Sequence, residues 1–378
     1  MTAGARTAAT SPFARPNGGA PTPLVGRERE LEELGHISDL LASDRSARGL
    51  YFRGCRGIGK TVLLERYLWA CRARGWLVVW IRGGDFVPRA GADDRFGIQV
   101  LNAVNRAIEA LDGHRAGRGV GGGTKVGARG RVPMTGVDLE FTHEFGKRGP
   151  SLAQAADRLS HVRGDYGVPV VFLVDEADFI GPEEAEILQW LGRSLHWAYD
   201  NEYPTTLVAA GTVRTLYRTM RGIATDGDWS GTPHNVKRLN DATARRVLIE
   251  TAAVGGEDWS AVDWSALVSA CAGIPRRLQA AGDMLWSESG PIDSDSARKA
   301  ATRISEGVRA LLHAANDHEG VILGALSELA EVGSALTLPT VCSALARHGV
   351  SDQLHAISRA ESLGLLDVED DGTVSVLF

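Results

Sequence analysis

The stretch Gly54-Cys55-Arg56-Gly57-Ile58-Gly59-Lys60-Thr61 constrains this chain more than any other. It fits the pattern G-x-x-x-x-G-K-[ST], which requires a strand before it and a helix after it. Both are present. Leu50-Tyr51-Phe52 is a short apolar run that reads as a buried strand, and the spacing from Thr61 to Ala73 predicts a helix. Glycines let backbone N–H groups curl around a phosphate, and the positive end of the following helix adds to the attraction. Gly54, Gly57, Ile58 and Gly59 are therefore expected to form the cradle. Lys60 is expected to reach the β- and γ-phosphates, and Thr61 to hold a magnesium ion.

A phosphate loop of this kind needs a second element, a strand that delivers a carboxylate beside the magnesium ion. Val170-Val171-Phe172-Leu173-Val174 is apolar and β-branched, and it stops at Asp175-Glu176. Asp175 is expected to complete the magnesium site with Thr61, and Glu176 to polarise a water for attack on the γ-phosphate. Asp178 reads as a helix cap or solvated acid.

Strands alternate with helices through the first two thirds of the chain. Trp76 to Ile81 and Thr206 to Ala210 read as strands, with Asn235 to Leu239 as a further candidate. Helical spacing covers Leu31 to Leu41, Phe96 to Leu111, Leu152 to Tyr166 and Glu183 to Tyr199. This alternation predicts an α/β fold: a parallel sheet with helices on both faces. From residue 241 to 315 the pattern is helical throughout. Residues 316–378 then read as three helices and a hairpin turned at Asp370-Asp371-Gly372, the order of a winged helix.

Two segments stand outside that plan. Residues 1–23 are rich in Ala, Thr, Gly and Pro and lack the apolar centre of a secretory signal. The expectation is a disordered tail on a cytoplasmic chain. No run is long and apolar enough for a membrane span. Residues 113–136 are glycine-rich and carry Arg115, Arg118, Lys125, Arg129 and Arg131, with no acid after Gly113. They read as a basic loop, either a solvated insertion or a nucleic-acid contact.

Charge is uneven. The chain has a net charge of -6, yet residues 316–378 hold ten acids against Arg347 and Arg359, a net of -8, leaving +2 for the rest. The four cysteines have neither zinc-site nor disulfide spacing and read as buried thiols, with Cys55 inside the phosphate loop. Trp190, Trp197 and Trp286 at helical positions read as core.

These motifs resemble the AAA+ superfamily, in particular the branch of origin-recognition initiators and STAND signalling ATPases. Leu24-Val25-Gly26-Arg27-Glu28 resembles the N-terminal box of that branch, so Val25, Gly26 and Arg27 are implied to pack over adenine. Thr212 matches the sensor 1 position, where Asn is more usual. Gly273-Ile274-Pro275-Arg276 resembles sensor 2, which implies that Arg276 reports the γ-phosphate from a helical lid, with Arg277 as the fallback. The implied domains are an ATPase core over 24–240, a lid over 241–315 and a winged helix over 316–378.

The resemblance implies ATP and magnesium as cofactors and slow or partner-stimulated ATP hydrolysis. Two departures shape the rest. The place of the trans-acting arginine finger reads His234-Asn235-Val236. Arg214, Arg218 and Arg221 lie earlier, where they would either act on a neighbour's ATP in a homo-oligomer or form one solvated helix face. The winged helix is acidic, and in its would-be recognition helix Arg359 and His355 stand against Asp352 and Glu361, a poor match for DNA phosphates. The favoured reading is therefore a switch that regulates a protein partner through the winged helix. A DNA-associated ATPase of the replication-initiator or transposition-regulator type, using loop 113–136, is the alternative.

Overall fold

A computed structural model of the chain describes residues 6, 10–13, 23–83, 95–117, 154–155, 158–159, 166–177, 191, 195, 203–211, 232–313, 317–332, 336–363, 365–368 and 372–377. The expected helices over 152–166 and 183–199 fall mostly outside these residues, as do Asp178, Trp190 and Trp197.

The core begins with helix α1 (Glu28–Ala42), strand β1 (Leu50–Arg53) and helix α2 (Lys60–Ala73). Strand β2 (Leu77–Arg82) and helix α3 (Arg95–Gly117) follow, then strands β3 (Val170–Asp175), β4 (Thr205–Gly211) and β5 (Thr232–Asn235). The strands form one sheet in the order β2-β3-β4-β1-β5, and every pairing is parallel. This is the α/β sheet that the sequence predicts.

Both faces of the sheet are covered, which explains why its central strands read as unbroken apolar runs. Val170, Phe172 and Val174 of β3 pack with Val100, Val104 and Leu111 of α3 on one face. Val171 and Leu173 pack with Leu63, Leu64 and Tyr67 of α2 on the other. Alternation along the strand assigns each residue to its face.

Strand β5 differs from the expectation. It lies at 232–235, earlier than Asn235 to Leu239, and its sequence Thr-Pro-His-Asn has no apolar alternation. An edge position explains this. β5 pairs only with β1 among the described residues, so Pro233 costs no central ladder bond. His234 turns inward instead, 2.9 Å from Glu33 and 3.7 Å from Glu30 of α1 and edge-on to Phe52. It ties α1 to the sheet and is only 6% exposed.

The region expected as the lid comprises α4 (Asp241–Val254), α5 (Ser265–Cys271), α6 (Pro275–Trp286) and α7 (Ser294–His313). Its core holds Trp259, Trp264, Leu278, Leu285 and Trp286. Phe13 joins that core, which departs from the expectation of a disordered tail at residues 10–13. The ring is 2% exposed, stacks on Trp259 at 5.4 Å and touches Trp286. Gly282 admits it, because a Cβ there would lie 2.2 Å from the Phe13 ring.

The C-terminal unit runs α8 (Asp317–Val332), β6 (Leu336–Thr337), α9 (Leu338–Arg347), α10 (Gln353–Leu363), β7 (Leu366–Val368) and β8 (Thr373–Val376). The three strands form an antiparallel sheet in the order β6-β8-β7 around a core that includes Leu326, Val341, Leu345, Ile357 and Leu366. The helices and the antiparallel β7–β8 pair follow the order expected of a winged helix. No helix of the described residues is long and apolar enough to cross a membrane.

Candidate functional site

The phosphate loop joins β1 to α2. Its curl needs left-handed backbone, with φ of 148° at Gly54, 85° at Gly57 and 106° at Gly59. Space is also short: a Cβ on Gly57 would lie 3.0 Å from Cβ of Arg276. Gly59 caps α2 with no side-chain hydrogen bond. The first amides of the helix are thereby left to a ligand. Lys60 Nζ donates to the carbonyls of Gly54 at 2.6 Å and Cys55 at 3.0 Å, so the ammonium lies folded over its own loop.

Asp175 ends β3 directly beside Thr61. The Thr61 hydroxyl donates to Asp175 Oδ1 at 3.2 Å, and the Glu176 amide donates to the same oxygen at 2.9 Å. A hydroxyl and a carboxylate oxygen already in contact are the hard donor pair that magnesium takes. Asp175 is 4% exposed. Burial pushes its carboxyl above the ordinary range, partly offset by the bonds from Thr61 and Glu176 and by the charge of Lys60. Glu176 is exposed and has φ of 51°, the left-handed region that a non-glycine residue occupies at a cost of about 1 kcal/mol. Strained backbone of this kind concentrates where a side chain must be aimed.

Four parts of the chain converge on this loop. From the N-terminal box, the Arg27 guanidinium is buried and donates to the Ile58 carbonyl at 2.8 Å and to Gly26 at 3.1 Å, with Glu30 at 3.8 Å. Burial lowers the Arg27 guanidinium, and the Glu30 carboxylate opposes that. Val25 packs in the lid core. Gly26 sits against Thr243 and Leu239 with no room for a Cβ. From the lid, the Arg276 amide donates to Gly57 O at 3.1 Å, while its side chain is exposed. From the segment after β5, the Val236 amide donates to Arg53 O at 2.8 Å, and the Val236 carbonyl lies against Gly54.

The fourth part is the winged helix. The Arg56 amide donates to the Glu361 carbonyl of α10 at 3.2 Å. Leu377 is buried in the same apolar cluster as Phe52, Cys55 and Ile58. Arg277 donates to the Leu377 carbonyl at 2.7 Å, so it is engaged with the chain terminus while Arg276 beside it is exposed. Arg238 contacts Asp367 at 3.4 Å and donates to the Ser375 hydroxyl at 3.0 Å. The C-terminal end of α10, the would-be recognition helix, therefore rests on the phosphate loop.

Lys60, Thr61, Asp175, Glu176, Arg27 and Arg276 thus gather at one end of the sheet. Thr212, Arg214, Arg218 and Arg221 fall outside the described residues. So do Arg118, Lys125, Arg129 and Arg131 of the basic loop. Residues 113–117 belong to α3 instead of that loop. Arg115 donates to the Tyr166 carbonyl and stacks over the Tyr166 ring at 4.5 Å. Cys55 is buried, and burial pushes its thiol up to about 12, which makes it a packing residue. Sequence reasoning missed Arg238, Asp367 and Leu377. The available signal was the apolar stretch Val376-Leu377-Phe378 in an otherwise acidic unit.

No protein-family model and no curated protein matches the sequence. Solved structures do match. The Walker-type ATPase of Pyrococcus abyssi superposes with a TM-score of 0.56 at 16% identity, covering 95% of this chain and 95% of that one. The ORC2 protein of Aeropyrum pernix, determined in ADPNP–ADP complexes, gives a TM-score of 0.50 at 16% identity, covering 95% and 91%.

Proposed function

From an AAA+ P-loop core of the Orc/Cdc6 type, we propose that this chain is an ATP-driven switch that controls a protein partner through its winged helix. The observation that carries the reading is the hydrogen bond from Arg56 of the phosphate loop to Glu361 of the winged helix. Nucleotide and docking surface share one loop.

The residues suit the task. Gly57, Gly59 and the first turn of α2 bind the phosphates of ATP. Lys60 turns from the Gly54 and Cys55 carbonyls toward the β- and γ-phosphates. Thr61 and Asp175 would hold a magnesium ion, whose charge would offset that of the phosphates. Glu176 polarises the attacking water, and the exposed guanidinium of Arg276 reaches the γ-phosphate from the lid. Val25, Gly26 and Arg27 form the wall beside the adenine.

The coupling follows from Lys60. Gly54 and Cys55 immediately precede Arg56, so losing the ammonium frees two peptide groups next to the one that holds Glu361. Reorientation there loosens the winged helix, exposing the surface it keeps against the core. Hydrolysis and loss of phosphate let Lys60 fold back and restore docking.

The test is ATP binding and phosphate release by three proteins. Wild type should bind and turn over ATP, Lys60→Ala should lose binding, and Glu176→Gln should bind without turnover. Equal turnover by wild type and Glu176→Gln would remove Glu176 from the chemistry. ATP binding by Lys60→Ala with wild-type affinity would displace the site.

A further inference from the structure

The segment Arg66 to Arg82 forms the second half of α2 and all of β2, and it contains four arginines, three tryptophans and no acid. Glu65, one turn before Trp69, is the nearest acid in the sequence. Each tryptophan carries an arginine: Arg72 lies 5.7 Å from the Trp69 ring centre, Arg74 5.1 Å from Trp76 and Arg82 5.3 Å from Trp80. Proteins average roughly one such pair per 70–80 residues. Three in one helix–strand unit is a concentration that the packing of the core does not require.

These residues share a side of the molecule. Tyr67, Leu68 and Cys71 of α2 pack with Trp76, Val78 and Trp80 on one face of the sheet. Strand alternation therefore puts Trp76, Trp80 and Arg82 on the α2 side of β2. β2 is an edge strand, pairing only with β3 among the described residues. Trp69 points away from the buried stripe of α2 and is 64% exposed, the largest exposure of any large apolar side chain among the described residues. Arg66, Arg74 and Arg82 are exposed as well, and Arg72 half-buried.

We propose that this face binds single-stranded nucleic acid, with Trp69 stacking on a base and the four arginines meeting the phosphates. An exposed indole set among guanidinium groups matches the two requirements of strand binding, a flat apolar platform and a cationic track. A duplex buries the faces of its bases and so leaves Trp69 without a partner. The surface lies at the β2 edge of the sheet, the edge opposite β5. Trp69, Arg72 and Arg74 lie toward the far end of α2 from Lys60 and Thr61, whereas Arg82 is in register with Asp175 on the neighbouring strand.

The test uses the full chain and a labelled oligothymidylate, followed by anisotropy over a salt series without ATP. Binding should weaken with salt, and Trp69→Ala should weaken it about tenfold. Trp69→Phe should recover most of that loss. Arg66→Glu with Arg74→Glu should flatten the salt dependence. ATP turnover should stay at the wild-type level in all these variants, which separates failure here from failure of the switch. Absence of strand binding at low salt, or Trp69→Ala binding as wild type does, would overturn the proposal. So would a preference for the matching duplex. If sedimentation shows that the arginine reversals change self-association instead, the face is a contact between copies and the proposal is wrong.

Discussion

The two ends of α2 solve opposite problems. At its N-terminal end, Lys60 and Thr61 sit where the N-terminal box, the lid and the winged helix all meet the phosphate loop. Contacts there are made largely by backbone groups, and glycines are forced by lack of space. At its C-terminal end, Trp69 and the arginines around it face outward. The first end is built to sense what lies inside it. The second is built to offer a surface, and one helix carries both. Changes at one end should therefore leave the other nearly untouched.

The largest effect that separates them is on turnover. Glu176→Gln should slow phosphate release about a thousandfold, within the range of a positioned general base, while strand binding at the Trp69 face stays unchanged. Lys60→Ala should cost ATP affinity about a hundredfold, from two charge-assisted bonds, again without changing strand binding. A parallel loss of both activities in either variant would mean that the two ends are one site.

Buried and exposed aromatics sharpen the contrast. Phe13→Ala empties a slot against Trp259, Trp286 and Gly282 and should destabilise the lid by about 3 kcal/mol. Trp69→Ala should change stability by no more than about 0.5 kcal/mol. Chemical denaturation followed by tryptophan fluorescence reads both.

Arg238→Ala removes the guanidinium beside Asp367, which is 6% exposed. It should loosen the winged helix by about 1 kcal/mol, the pair being partly open to solvent. Faster proteolysis between the lid and the winged helix would report it.

The smallest effect is on acid stability. Burial pushes the Glu30 carboxyl up, but the bond with His234 and the charge of Arg27 outweigh it, and the net position is below the ordinary range. A depressed carboxyl stabilises the fold above the ordinary carboxylate pKa, and that contribution is lost as pH falls through the lowered value. Melting between pH 6 and about pH 3 should therefore be shallower for Glu30→Gln than for wild type.

How much of this the sequence carried depends on the kind of contact. The placement of Lys60 and Thr61 was legible in the glycine pattern, and that of Asp175 and Glu176 in the end of an apolar run. The helices and the β7–β8 pair of the C-terminal unit were legible through helical spacing and the Asp-Gly cue in the sequence. β5 was hidden, since an edge strand of Thr-Pro-His-Asn is held by His234 and its two glutamates and has no alternation to read. Phe13 was hidden by the Ala- and Gly-rich composition around it, because one anchored ring leaves no periodic mark. The docking of the winged helix was the least legible. Its central contact joins a main-chain amide to a main-chain carbonyl, Arg56 to Glu361, and no side-chain pattern encodes that.

Loosening of that docking by ATP can be read directly as a distance. Ser43 on the core and Ser351 on the winged helix are both exposed, and Cys55, Cys71 and Cys271 are buried, so Ser43→Cys and Ser351→Cys in a Cys342→Ser background accept spin labels selectively. With magnesium and ATP, in a Glu176→Gln protein that holds the nucleotide, the distance between the labels should lengthen and broaden relative to the nucleotide-free state. The same protein carrying Lys60→Ala should show no change. A single narrow distance, identical with and without ATP, would contradict the claim that the phosphate loop governs the winged helix.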